Sequence, residues 1–133
     1  MNTMLSKLGV AMTLATVCLA GVAQDAFPNK PIRVIIPSAP GGGTDFIGRT
    51  ISQRVTETSG WSMVPENRAG AAGTLGLAET ARAKPDGYDI VIGQTASVAL
   101  APWLMKLQFD PAKDLPPVAW AVEAATVLLV AVD

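Results

Sequence analysis

A run of β-branched residues between two prolines, residues 31–37, leads into three consecutive glycines, Gly41 to Gly43. The β-branched run predicts a buried strand, because such side chains pack well on a pleated sheet. Three glycines in a row disfavour both helix and strand, so a turn is expected to follow the strand. Apolar residues at helical spacing then predict a helix over residues 45–59, with Thr44 or Asp45 as its N-terminal cap.

The same order of strand, loop and helix recurs along the chain. Further strands are predicted at residues 61–66, 88–93, 118–122 and 126–132, and further helices at residues 74–83 and 97–106, with Ser97 as a cap. Repeated strand–helix units imply right-handed crossovers and a mostly parallel sheet. The predicted fold class is therefore α/β, a mostly parallel sheet with flanking helices.

The composition excludes several classes of function. The chain has no histidine and one cysteine, so it cannot form a Ser-His-Asp triad or a histidine-ligated metal site. A formal net charge of −1 argues against nucleic acid as a partner. No phosphate-binding G-x-x-x-x-G-K-[ST] motif is present, and Gly70, Gly73 and Gly76 do not form the dinucleotide fingerprint. No cofactor or metal is expected. The three tryptophans are far apart in the sequence and are predicted to lie in the core or at an interface; they are Trp61, Trp103 and Trp120.

Residues 1–23 have the pattern of an export signal. Lys7 provides the positive start, an apolar stretch follows, and Gly21-Val22-Ala23 provides small residues for cleavage. The apolar stretch is shorter than the roughly 20 residues that span a membrane. We therefore expect an exported protein that is not an integral membrane protein once the signal is removed.

Two loops are candidate binding sites, because ligands of open parallel sheets bind beyond the carboxyl ends of the strands. The first consists of Ser38, Ala39, Pro40, Gly41, Gly42, Gly43, Thr44 and Asp45, and the second centres on Thr95, Ala96 and Ser97. Glycine amides and a helix N-terminus suit an anion, and the hydroxyls add uncharged donors. Composition equally allows tight, capped turns with no ligand, so both interpretations remain open.

Two charged residues near these loops have alternative roles. Arg68 is either a fork for a ligand carboxylate or an arginine paired within its own loop, and the second role is the more common. Asp45 would repel an anion, so helix capping is its expected role. A ligand ammonium or a bridging water would give Asp45 a second role.

Four ordered segments carry a resemblance to a known family. They are KPIRVIIPSAPGGGTD (30–45), VPENRAGAAGTLG (64–76), AKPDGYDIVIGQTAS (83–97) and FDPAKDLPPVA (109–119). In these segments the chain resembles the tripartite tricarboxylate transporter substrate-binding family, also called Bug proteins. The resemblance implies a periplasmic, two-lobed clamp for a small organic carboxylate, without enzymatic activity, that serves a membrane transporter or a sensor. It also implies that both candidate loops hold the carboxylate through amides, hydroxyls and water.

The sequence departs from the usual family pattern at several positions, and the resemblance also implies a division into domains. Ser38 stands where the family usually has an aromatic residue, Ala69 replaces a usual proline and Ala72 a usual glycine. Because family members are longer, we expect a truncated clamp. Its parts are a signal peptide at 1–23, an incomplete first lobe at 24–125 and a crossover strand toward a second lobe at 126–133. The alternatives are a remnant without useful binding and, less favoured, a Rossmann-like half-domain of an enzyme.

Overall fold

The computed structural model of the protein describes residues 26–124. The predicted signal peptide and the predicted strand at residues 126–132 lie outside these residues. Within them, three strands form one sheet in the order β2-β1-β3, and both pairs are parallel. The strands are β1 (Ile32–Ile36), β2 (Met63–Asn67) and β3 (Asp89–Val91). The predicted parallel α/β architecture is confirmed.

Helices connect and follow these strands. They are α1 (Gly43–Ser59), α2 (Thr74–Ala81), α3 (Ala101–Leu104) and α4 (Pro111–Asp114), with a 3₁₀ turn at Ala71–Gly73 and a π-helical turn at Ala96–Leu100. No helix among residues 26–124 is both long enough and apolar enough to cross a membrane.

The core lies on both faces of β1, the central strand, because successive side chains of a strand point to opposite faces. Val34, Ile35 and Ile36 are fully buried. Helix α1 covers the Ile36 face, where a Cβ on Gly48 would lie 2.8 Å from Ile36 Cδ1. Helix α2 covers the Ile35 face and buries Leu77. The fold is therefore a small three-layer α/β sandwich whose central strand carries the glycine triplet at its carboxyl end.

The predicted N-terminal caps are wrong. Helix α1 begins at Gly43, two residues earlier than predicted, and its cap residue is Gly42 with no side-chain hydrogen bond. Asp45 therefore lies inside the first turn, as does Thr44. Ser97 likewise lies inside the π-helical turn rather than before it. The predicted end of this helix at residue 59 is confirmed, because Gly60 is left-handed with φ 71° and donates its amide to Thr56 O.

The predictions beyond β3 are only partly correct. The predicted helix at 97–106 is divided into the π-helical turn and the short α3. The predicted strand at 118–122 is wrong, because these residues form no regular structure. Both neighbour positions of the central strand are already taken by β2 and β3. Trp103 and Trp120 are 88% and 83% exposed, so neither lies in the core, and the alternative position at an interface stays a prediction.

Candidate functional site

Three loops meet at one edge of the sheet, because parallel strands present their carboxyl ends on the same side. We call them the glycine loop (residues 37–42, after β1), the Arg68 loop (residues 68–73, after β2) and the Gln94 loop (residues 92–95, after β3). Gln94 Nε2 is hydrogen-bonded to Thr44 Oγ1 at the start of α1. A Cβ on Gly73 would lie 3.2 Å from Pro37 O and 3.3 Å from Ser97 Cβ. The two candidate loops are therefore adjacent, as the parallel sheet predicts.

The glycine loop presents open backbone at the start of α1. Gly41, Gly42 and Gly43 are exposed, and a Cβ on Gly41 or Gly43 would have no neighbour within 4 Å. The first helical hydrogen bond runs from Phe46 N to Gly42 O at 3.0 Å. The amides before Phe46 have no carbonyl one turn earlier to bond, and they lie at the positive end of the helix dipole. This arrangement suits an anion.

The remaining residues of the two candidate loops differ in accessibility. Ala39 and Pro40, together with Thr95 and Ala96, are exposed along the same edge. Ser97 is fully buried, and its amide and its hydroxyl both donate to Gln94 O, at 3.1 and 3.2 Å. The donors of Ser97 therefore hold the Gln94 loop in shape.

Ser38 has an unusual environment at the start of the glycine loop. Its amide donates to Ile36 O at 2.8 Å, and its carbonyl accepts from Asn67 Nδ2 at 3.0 Å. Its Oγ is the one buried side-chain polar atom in the part of the chain described that has no hydrogen-bond partner. A buried hydroxyl without a hydrogen-bond partner lowers the stability of the fold, so a ligand or water that bonded Ser38 Oγ would offset this loss.

Asp45 is buried beneath the glycine loop and is held by three donors. Its Oδ2 accepts from Gly41 N at 2.9 Å, and its Oδ1 accepts from Arg49 Nε and Asn67 Nδ2, each at 2.8 Å. The Gly41 amide above all, with the Asn67 amide and the Arg49 guanidinium, holds the pKa of Asp45 below its usual range. The carboxylate therefore stays ionised and tied to its own chain.

Of the two roles predicted for Arg68, the structure supports pairing within its own chain rather than binding of a ligand carboxylate. Its Nη2 lies 2.9 Å from Glu66 Oε2, and its Nε lies 3.0 Å from Glu79 Oε2. Arg33 joins the same cluster through Glu79 at 2.7 Å and holds the pKa of Glu79 below its usual range. The guanidinium of Arg68 is thus already occupied by carboxylates of its own chain.

Asn67 and Arg49, together with Gln94, are site residues that the sequence analysis missed. Two signals in the sequence could have indicated the first two residues. Asn67 is a polar residue at the carboxyl end of a strand, and Arg49 follows an aspartate by four residues. Gln94 lies in the segment 83–97 that carries the family resemblance, but it was not predicted as a contact residue. In residues 26–124 no cluster of three or more acidic side chains is placed to hold a metal ion.

Comparisons with known proteins identify the family to which this chain is related. A model of the tripartite tricarboxylate transporter family receptor matches residues 47–133. The chain is 33% identical over 132 residues to BugT of Bordetella pertussis. This alignment covers 97% of this chain and 40% of BugT. The curated relatives it matches are much longer, since the chain spans between 33% and 40% of their length.

Solved structures share both fold and sequence with the chain. One, described as a periplasmic transporter, is 47% identical with a TM-score of 0.63. The match covers 66% of this chain and 30% of the chain in that structure. MatC of Rhodopseudomonas palustris with bound malate is 37% identical with a TM-score of 0.64 and covers 71% of this chain and 33% of its own. The family is one of solute-binding receptors and not a class of enzymes, as the resemblance in the sequence implies. The chain belongs to the tripartite tricarboxylate transporter receptor family.

Proposed function

We propose that this chain is the carboxylate-holding part of a periplasmic receptor for a small organic carboxylate. The observation that carries the proposal is the open row of backbone amides where the glycine loop enters α1. The malate bound to MatC, whose fold this chain shares, supports a dicarboxylate as the ligand. The match to the receptor family supports delivery to a tripartite tricarboxylate-type membrane transporter or to a sensor.

The ligand carboxylate is held without a full positive charge. In the proposal it accepts from the amides of Gly42, Gly43 and Thr44, and the helix dipole adds about half a positive charge. The hydroxyls of Thr44 and Thr95, with water, complete the contacts, and the other predicted contact residues (Ser38, Ala39, Pro40, Gly41, Asp45, Ala96 and Ser97) line or shape the edge. Arg49 compensates the charge of Asp45, so the buried aspartate does not repel the anion.

We propose that residues 24–125 correspond to the first lobe of a two-lobed clamp, behind a signal peptide at 1–23, with residues 126–133 leading toward a second lobe. The described loops are exposed on one side, so ligand bound to them alone stays in contact with water. Two to four hydrogen bonds that contribute about 1 kcal/mol each total about 2–4 kcal/mol, which corresponds to millimolar binding or weaker. A chain that binds no carboxylate at all would instead be a remnant without useful binding.

Ligand-observed NMR with malate, citrate and the uncharged analogue malamide tests the proposal. We expect saturable millimolar binding of the two acids and none of malamide, because the amides recognise charge. Thr44→Val keeps the side-chain shape and removes the hydroxyl, and it should weaken malate binding about threefold. Thr50→Val is the matched control, since its hydroxyl bonds Phe46 O at 2.8 Å on the exposed face of α1. Equal binding of malate and malamide, or none of either, contradicts the proposal.

A further inference from the structure

The glycine loop is fixed at two points by side chains from outside it. Asn67, the last residue of β2, lies opposite Ile36 in the strand register. Its Nδ2 donates to Ser38 O at 3.0 Å and to Asp45 Oδ1 at 2.8 Å, and its Oδ1 accepts from Arg49 Nη2 at 2.7 Å. Each polar atom of this side chain is therefore bonded to the glycine loop or to α1.

Asp45 fixes the other end of the loop. Its Oδ2 accepts from the amide of Gly41, which has φ 83°, a conformation that favours glycine. The side chain of Asp45 is only 8% exposed, so these bonds are shielded from water. Ser38 is thus held by its carbonyl and Gly41 by its amide, one on each side of the turn.

We propose that Asn67 and Arg49 are positioning residues, which preorganise the glycine loop for the carboxylate without touching it. This inference rests on the proposed carboxylate site. Three consecutive glycines have large conformational freedom, and a loose loop would have to be ordered by the ligand at the expense of affinity. The Asp45–Arg49–Asn67 network orders it beforehand.

Arg49 has a second, electrostatic part in the proposal. Its Nε lies 2.8 Å from Asp45 Oδ1, and no other salt bridge in residues 26–124 involves Asp45. Loss of the guanidinium would leave a buried negative charge directly under an anion site. Salt screens repulsion between charges, so the loss of affinity should shrink as ionic strength rises.

The test compares Asn67→Ala with Ser52→Ala, a control that removes a buried hydrogen bond to Gly48 O within α1, away from the loop. Backbone ¹⁵N order parameters of Gly41, Gly42 and Gly43 are measured in the free protein. We expect values of about 0.85 in the wild type and in Ser52→Ala, and below about 0.6 in Asn67→Ala. Malate affinity should fall five- to tenfold in Asn67→Ala alone.

The outcomes separate this inference from the proposed function. If Asn67→Ala keeps the wild-type order parameters and malate affinity, the positioning role is overturned while the carboxylate site stands. If its glycines loosen but even the wild type binds no malate, the proposed function is wrong, and the positioning role falls with it although Asn67 orders the loop.

Arg49 provides an independent variant if Asn67→Ala fails to fold, because its side chain is 48% exposed. Arg49→Met should weaken malate binding about threefold at low salt and less at high salt, and Arg49→Lys should restore most of the affinity. A loss in Arg49→Met that is independent of salt and is not restored by lysine overturns the electrostatic role.

Discussion

The glycine loop and the Arg68 loop have similar compositions and opposite environments. In the glycine loop, a Cβ on Gly41 would have no neighbour within 4 Å. In the Arg68 loop, Gly73 is buried with φ 87°, and a Cβ there would lie 3.2 Å from a backbone oxygen, Pro37 O. In the glycine loop, glycine leaves the backbone accessible, whereas in the Arg68 loop it allows the backbone to pack closely against its neighbours.

The charged residues near both loops are paired within the chain, so the difference between the two loops lies in their backbone. Arg68 and Arg33 are bonded to Glu66, Glu79 and Asp89, so the cluster between the sheet and α2 is satisfied by its own members. Beside the glycine loop, charge is similarly satisfied at Asp45, while the amides at the start of α1 remain open. Composition alone therefore does not distinguish a ligand loop from a packing loop, whereas the neighbours of the backbone do.

The largest expected effect comes from the same substitution made at Gly73 of the Arg68 loop and at Gly43, the first residue of α1 directly after the glycine loop. Gly73→Ala should destabilise the protein by about 2–3 kcal/mol, because alanine is strained at positive φ and its Cβ would press on Pro37 O. Gly43→Ala should change stability by less than about 0.5 kcal/mol, because its Cβ points into open space. Urea denaturation measures both. Equal losses of stability would remove the distinction between the loops.

A smaller effect is expected at a strained alanine of the Arg68 loop. Ala72 has φ 54°, a left-handed conformation that suits glycine, and it is exposed. Ala72→Gly should therefore raise the free energy of unfolding by about 0.5–1 kcal/mol and leave carboxylate binding unchanged. A destabilised variant would show that the left-handed backbone at this position is not strained.

The sequence predicted the sheet well because its signals are local. The strand at 31–37, the turn at the glycine triplet and the end of the helix at residue 59 each follow from neighbouring residues. The predicted caps at Thr44 and Asp45 failed because the helix starts inside the glycine triplet, which frees Asp45 to bond Gly41. The predicted strand at 118–122 failed because strand formation depends on a partner strand, which local sequence does not reveal.

The candidate site was predictable only in part. Parallel topology places the two loops together, and this could be derived from the strand–helix order. The role of Asn67 depends on the register that sets it opposite Ile36, and the pairing of Arg68 depends on Glu79 of α2 reaching the same face. Such contacts join residues from different elements, so no spacing in the sequence indicates them.

The most direct test of the central claim is a ¹⁵N–¹H NMR titration of the chain with malate that follows both loops at once. We expect the largest shifts at the amides of Gly42, Gly43 and Thr44, smaller ones at Thr95, and none at the Arg68 side chain. Shifts centred on Arg68, or no saturable shift at the glycine loop, would contradict the assignment of the carboxylate to the open loop.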